Sequence, residues 1–223
     1  MDVNFKYKIV RNIIPKELSN FLYQYWIIQE QAVKDMLINH ETYKHNVFIG
    51  NFELDTLCVG HYAKYGDWAA DTLLEFVRPK VEEELKIKLV PTYSYTRIYR
   101  TGAFLSRHID RSSCRISATI NLGGDEWPIF LDPTGKRSVI KTWNDEKGEQ
   151  VKLKKNFPKG KQIDLKPGDA LFYAGDKLEH WREPFTKDHC VQTFLHYNED
   201  NVEGRKNKYD TRNYLGQPRF TDD

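Results

Sequence analysis

Residues 93–124 read YSYTRIYRTGAFLSRHIDRSSCRISATINLGG, with His108, Ile109 and Asp110 at their centre. Side chains two apart on an extended chain point to the same side. An imidazole and a carboxylate at that spacing can therefore grip one cation from one face. A second imidazole would complete a 2-His-1-carboxylate set, which leaves neighbouring positions open and suits non-haem iron(II). Residues 168–185, GDALFYAGDKLEHWREPF, offer that imidazole in His180.

On the tripeptide alone, a polar surface loop is the better reading, because seven histidines make one chance His-x-Asp unsurprising. The surroundings shift the balance. His108 follows a strand-like run and the Thr101-Gly102 turn, and His180 follows the Pro167-Gly168 turn and an apolar run. The chain between them is long enough for several strands to cross a barrel and return. Arg97 and Tyr99 fall on one side of their strand and can bring a cation and a phenol to the same place.

Working outward, the hydrophobic period is close to two from Lys86 onward. KIKLV, YSYTRIY, RISATINL, WPIFL, SVIKTW, QVKLK, KQIDL, ALFYAG and CVQTFLHY all read as short strands, many separated by Gly- or Pro-bearing turns. Eight or nine short strands so punctuated predict a sandwich or barrel of jelly-roll type. Before Lys86 the period is helical. Residues 2–10 predict a first strand. Pro15 then opens a helix whose apolar face is Leu18, Phe21, Leu22, Tyr25 and Trp26. Asp67 caps a second helix from Trp68, with Leu73, Leu74, Phe76, Val77, Val81 and Leu85 as its buried face and Pro79 set to kink or split it. The fold class is mostly β with N-terminal helices. A single domain spans 1–223: helical support in 1–85, a jelly-roll core flanked by helices in 86–197, and a C-terminal tail in 198–223.

A net charge of +2 gives no basic footprint for nucleic acid or membrane. No apolar run approaches the roughly 20 residues that span a bilayer. Cys58, Cys114 and Cys190 lie far apart and form no CxxC pair, which suits a reducing cytoplasm. The lysine-rich stretch 136–161 reads as a solvated hairpin that could touch substrate if it lies near the barrel mouth.

Taken together, RIY-x-x-G-x-x-L-x-R-H-I-D-R-x-x-C, then SATINLGG, KPGDALFY-x-G and HWR resemble the iron(II)- and 2-oxoglutarate-dependent dioxygenase superfamily. The likeness is greatest to its prolyl-hydroxylase-like branch, including small bacterial and phage members, over roughly residues 86–197. It implies a double-stranded β-helix. It also implies His108, Asp110 and His180 as iron ligands, with no further catalytic residue beyond them. Iron(II), 2-oxoglutarate and O2, with ascorbate as reductant, would then hydroxylate an unactivated C–H bond of a prolyl or other amino-acid residue, or of a small amino-acid-like molecule.

The co-substrate's distal carboxylate meets an Arg or Lys some nine or ten residues beyond the second histidine in prolyl hydroxylases. Here those positions hold His189 and Cys190. Arg182 ranks first as a substitute, since a guanidinium binds carboxylates bidentately; a loop salt bridge to Glu179 or Glu183 is the plainer alternative. His189, Arg97, Tyr99 and Thr193 are the other candidates. Two alternatives stay open: a cupin-like metalloenzyme that does not use 2-oxoglutarate, which His189 favours, and a non-catalytic jelly-roll binding module.

Overall fold

The alternation in residues 116–122 decides which way the central sheet faces. Ile116, Ala118, Ile120 and Leu122 are buried in one apolar cluster with helical residues, while Ser117, Thr119 and Asn121 are buried on the opposite side. A period of two is what a strand covered on both faces requires, with a different neighbour on each. The protein is described here as a computed structural model, covering residues 5–53, 58, 60–144, 148–154 and 156–219, with the backbone alone over 140–153.

In chain order the elements are β1 (Tyr7–Val10), α1 (Lys16–Ile38), β2 (Ala63–Tyr65), α2 (Trp68–Leu85), β3 (Leu89–Arg100), β4 (Leu105–His108) and β5 (Ile116–Gly124). Then follow β6 (Ile129–Leu131), β7 (Val139–Asn144), β8 (Gly148–Leu153), β9 (Lys161–Ile163), β10 (Ala170–Tyr173), β11 (His180–Arg182), β12 (His189–Glu199) and α3 (Val202–Arg205). One sheet runs β1-β10-β5-β12-β3-β2, the other β4-β11-β6-β9, and β7-β8 is a separate hairpin. All pairings are antiparallel. The two sheets form the double-stranded β-helix, with α1 and α2 packed on the outer face of the larger sheet.

The expected 1–85 support contributes more than helices, because β1 and β2 are edge strands of the larger sheet. The Asp67 side chain accepts the Ala69 N–H at 2.8 Å and caps α2, which runs through Pro79 without splitting. Proline forfeits one helical hydrogen bond there, and burial of Leu73, Leu74, Val77 and Val81 around it holds the helix together. Phe21 and Phe76 leave the faces expected of them, at 65% and 64% exposure. Each sits one position off a narrow stripe, Leu22-Trp26-Val33 in α1 and Leu73-Leu74-Val77-Val81 in α2. The lysine-rich stretch contains the β7–β8 hairpin, but residues 145–147 and 155, and the side chains of 140–153, lie outside the described residues.

The two short strands β4 and β11 are tied by charge as well as by their ladder. Arg107 of β4 donates from Nε to Glu179 Oε2 at 2.8 Å, from Nη2 to Asp132 Oδ2 at 2.8 Å and from Nη1 to the Pro158 carbonyl at 2.7 Å. Its guanidinium lies 4.2 Å from the Trp181 ring centroid. Glu179 Oε1 takes the Ser138 and Val139 N–H groups at 2.6 and 3.0 Å. Removing one member of a buried charge network leaves the others uncompensated, at about 3–5 kcal/mol. Arg107→Met is therefore expected to destabilise the protein by about that much in chemical denaturation, far more than an exposed arginine would.

Candidate metal and anion site

His108 ends β4 and His180 begins β11, and the two are direct partners across the ladder. Their ring centroids are 4.3 Å apart. His108 Nδ1 lies 2.7 Å from the Ser106 carbonyl and His180 Nδ1 lies 3.1 Å from the Leu178 carbonyl. A carbonyl only accepts, so each Nδ1 carries the hydrogen and each Nε2 keeps its lone pair. Asp110 follows β4 in irregular chain, its N–H donating to the Gly175 carbonyl at 2.9 Å. Asp110 Oδ1 is 3.7 Å from His108 Nε2 and 3.4 Å from His180 Nε2. Ligand atoms of all three residues fall within 4.8 Å of one another. Two imidazoles and one carboxylate converging in this way are the donor set of a divalent transition metal.

Electrostatics agree. Burial alone would raise the Asp110 carboxyl, but the surrounding imidazoles, His180 first and then His196 and His108, hold it well below the usual range. Burial, with His180 adding to it, pushes His108 down to about 4, and burial does the same for His196. In the unfolded chain both imidazoles take a proton near pH 6.5, and in the folded metal-free protein not until about pH 4. The unfolded state binds more protons in that window, so stability falls as pH drops through it, by up to roughly 3 kcal/mol per histidine. The metal-free protein should accordingly show a lower urea midpoint at pH 5 than at pH 7.5, and His196→Gln should shrink the difference.

The three residues open into a cavity of about 220 Å³. Tyr93, Tyr95, Arg97 and Tyr99 of β3 line one wall, joined by Phe194 and His196 of β12, Tyr173 of β10 and Ile129 of β6. Alternation along β3 places all four of its residues on the inner face. At the rim, Arg111 pairs with Asp210 at 2.5 and 2.7 Å rather than with Asp110, and Asp210 also accepts the Tyr65 hydroxyl at 2.6 Å. The C-terminal segment thus reaches the edge of the cavity.

Behind Tyr99 and Tyr173 lies Arg182, 1% exposed. Its Nη1 donates to the Trp127 carbonyl and its guanidinium sits 5.0 Å from the Trp127 ring centroid. Nε and Nη2 have no hydrogen-bond partner among the described residues, and the Tyr99 hydroxyl beside them is in reach of the Arg97 side chain. The expected alternative salt bridge is absent: Glu179 is held by Arg107, and Glu183 Oε1 accepts from Trp181 Nε1 at 3.0 Å. Burial pulls the Arg182 pKa down from its ordinary value. A buried guanidinium with two idle donors is a place where a carboxylate would restore satisfied pairing.

His189 and Thr193, both expected at the co-substrate anchor, are not in the cavity. The His189 ring stacks on Tyr23 of α1 at 5.8 Å, with Nε2 2.6 Å from the Tyr23 hydroxyl and Nδ1 2.6 Å from Asp188 Oδ2. The Thr193 hydroxyl lies 2.9 Å from that of Thr96. Both sit on the helix-facing side of β12, whose other side carries Phe194 and His196 into the cavity. Arg97 does face the cavity, its guanidinium 5.3 Å from the ring centroids of both Tyr95 and Tyr99. Sequence reasoning missed Ser117, which donates to Asp110 Oδ2 at 2.6 Å, and Trp127. The inward parity of Ser117 within RISATINL was the available signal.

No protein-family model matches the sequence, and no curated protein matches it in sequence. Solved structures do match in fold. A prolyl-4-hydroxylase from Pseudomonas putida is 15% identical with a TM-score of 0.51, covering 86% of this chain and 92% of its own. A prolyl hydroxylase from Trichoplax adhaerens, in complex with a hypoxia inducible factor peptide fragment, is 14% identical with a TM-score of 0.56, over 92% and 86%. HygX from Streptomyces hygroscopicus, with nickel and 2-oxoglutarate bound, is 11% identical with a TM-score of 0.52, over 88% and 84%. The fold is that of the 2-oxoglutarate/iron(II) oxygenases.

Proposed function

We propose that the protein is an iron(II)- and 2-oxoglutarate-dependent oxygenase, with His108, Asp110 and His180 as metal ligands. The observation that carries this is the pair of bare Nε2 atoms, each fixed by an Nδ1–carbonyl hydrogen bond and facing one carboxylate oxygen in a shared cavity. Arg182 and Tyr99 are the proposed hold on the distal carboxylate of 2-oxoglutarate. Arg182 is two residues beyond His180 on β11, a strand step of about 7 Å, which suits the length of a five-carbon dicarboxylate. Bound there, iron(II) and 2-oxoglutarate supply an oxidant for an unactivated C–H bond, with O2 consumed and 2-oxoglutarate converted to succinate and CO2.

The chain's own residues do the rest. Tyr173, Leu105 and Ile129 wall off water around the co-substrate, and the β3 aromatics with Phe194 and Arg97 shape the space for the substrate. An aromatic wall with one cation suits a prolyl or other amino-acid residue, or a small amino-acid-like molecule, and hydroxylation is the proposed outcome. Three free, separate cysteines favour the cytoplasm, and among the described residues no helix is long and apolar enough to cross a membrane.

The reading without 2-oxoglutarate drew its support from His189, whose ring faces α1 instead. Purified protein incubated with iron(II), ascorbate and 2-oxoglutarate should form succinate. Absence of turnover, together with no 2-oxoglutarate binding by calorimetry, would overturn the reading and leave a binding module.

A further inference from the structure

The far side of Asp110 carries an arrangement that a bare ligand set does not require. The Ser117 hydroxyl oxygen lies 2.6 Å from Asp110 Oδ2 and 3.0 Å from His196 Nδ1. An ionised carboxylate has no hydrogen to give, so the hydroxyl hydrogen goes to Asp110. The competing acceptor, the Cys114 carbonyl, is further away at 3.3 Å. The Ser117 oxygen is then left to accept, and His196 must supply the hydrogen from Nδ1. The chain of donation runs one way, from His196 to Ser117 to Asp110. Ser117 is fully buried and His196 nearly so.

Gly175 completes the arrangement. A Cβ there would stand 2.2 Å from Ser117 Oγ, 2.4 Å from Asp110 Oδ2 and 2.7 Å from the Cys114 carbonyl. Gly175 is not among the glycines with positive φ. Its lack of a side chain therefore serves space rather than backbone twist. The same residue's carbonyl holds the Asp110 N–H. Asp110 is thus pinned at its backbone and at one carboxylate oxygen, and the other oxygen, Oδ1, faces both imidazoles.

We propose that Ser117, His196 and Gly175 act as a positioning unit that keeps Asp110 a one-oxygen ligand. This rests on the metal reading above. A carboxylate can bind a cation through one oxygen or two. Holding Oδ2 on Ser117 reserves Oδ1 for the metal and keeps a neighbouring coordination position open for the co-substrate or O2. Without that hydrogen bond Oδ2 is free to swing onto the metal, and the carboxylate also loses its fixed orientation.

The test uses the full chain loaded with cobalt(II), whose visible d–d bands report coordination number. Ser117→Ala should bind cobalt about 10–100-fold more weakly, the range for groups that orient metal ligands, and should shift the d–d bands. Gly175→Ala should do the same by displacing both the hydroxyl and Asp110 Oδ2. Ser117→Thr keeps a hydroxyl and should return affinity to within about 3-fold of wild type. Should Ser117→Ala fail to fold, His196→Phe reads the same point: shifted bands support the unit and unchanged bands overturn it. Wild-type protein that binds cobalt no better than Asp110→Ala overturns the metal reading itself. Wild type that binds tightly, with Ser117→Ala equal to it in affinity and spectrum, overturns the positioning unit alone.

Discussion

Asp110→Ala is expected to abolish iron-dependent conversion of 2-oxoglutarate to succinate while leaving the fold intact. The substitution removes the only carboxylate facing both Nε2 atoms in the described cavity. Losing a direct ligand should cost more metal affinity than the about 10–100-fold typical of an outer-shell partner. The carboxylate sits in the irregular chain between β4 and the turn at Ser112–Cys114, so no ladder hydrogen bond of the sheets depends on its side chain. Far-UV circular dichroism should therefore match wild type. His108→Ala should behave alike. An Asp110→Ala protein that still forms succinate at the wild-type rate would place the metal elsewhere.

Arg182→Met is expected to lower affinity for 2-oxoglutarate without lowering stability. Affinity for 2-oxoglutarate, read by calorimetry on nickel-loaded protein to prevent turnover, should fall at least about 30-fold. That corresponds to about 2 kcal/mol, the lower end of the range for truncating one partner of a buried charge pair. Stability of the metal-free protein should be unchanged or higher, because the wild-type guanidinium is buried with Nε and Nη2 idle and methionine removes that desolvated charge. A structural salt bridge would give the reverse pattern, with stability lost and affinity kept. Unchanged affinity in the variant would remove Arg182 as the carboxylate anchor.

The proposed ligands were legible because metal chemistry restricts residue type at a two-residue spacing, and His108-Ile109-Asp110 shows it in one line. The anchor was legible only in part. Counting from His180 lands on His189, but a one-residue step along a strand flips the side chain to the other face. In β12 that step separates a histidine on Tyr23 from Cys190 beside Tyr99 and Trp127. The strands β4 and β11 have four and three residues, too few to display a period, so the histidines were legible as following β3 and β10 but not as members of short strands of their own. Ser117 was hidden for another reason: a lone hydroxyl in an alternating run reads as filler until the neighbour it donates to is known. Phe21 and Phe76 carried the right period but stood at the margin of the buried stripe, where apolar character does not decide burial.

One feature of the ladder sets the character of the whole site. His108 and His180 are opposite rungs of β4 and β11, braced by Arg107 and Glu179 one residue before each. Their separation is thus a property of the backbone, as fixed as the sheet itself. Asp110 belongs to connecting chain and owes its place to the Gly175 carbonyl and a serine. The site resembles a tool with two forged teeth and one adjustable tooth. A redesign that seeks a different metal, or an exogenous anion in place of the carboxylate, has its freedom at Asp110 and at Ser117, which holds it, and can leave the histidine ladder as it is.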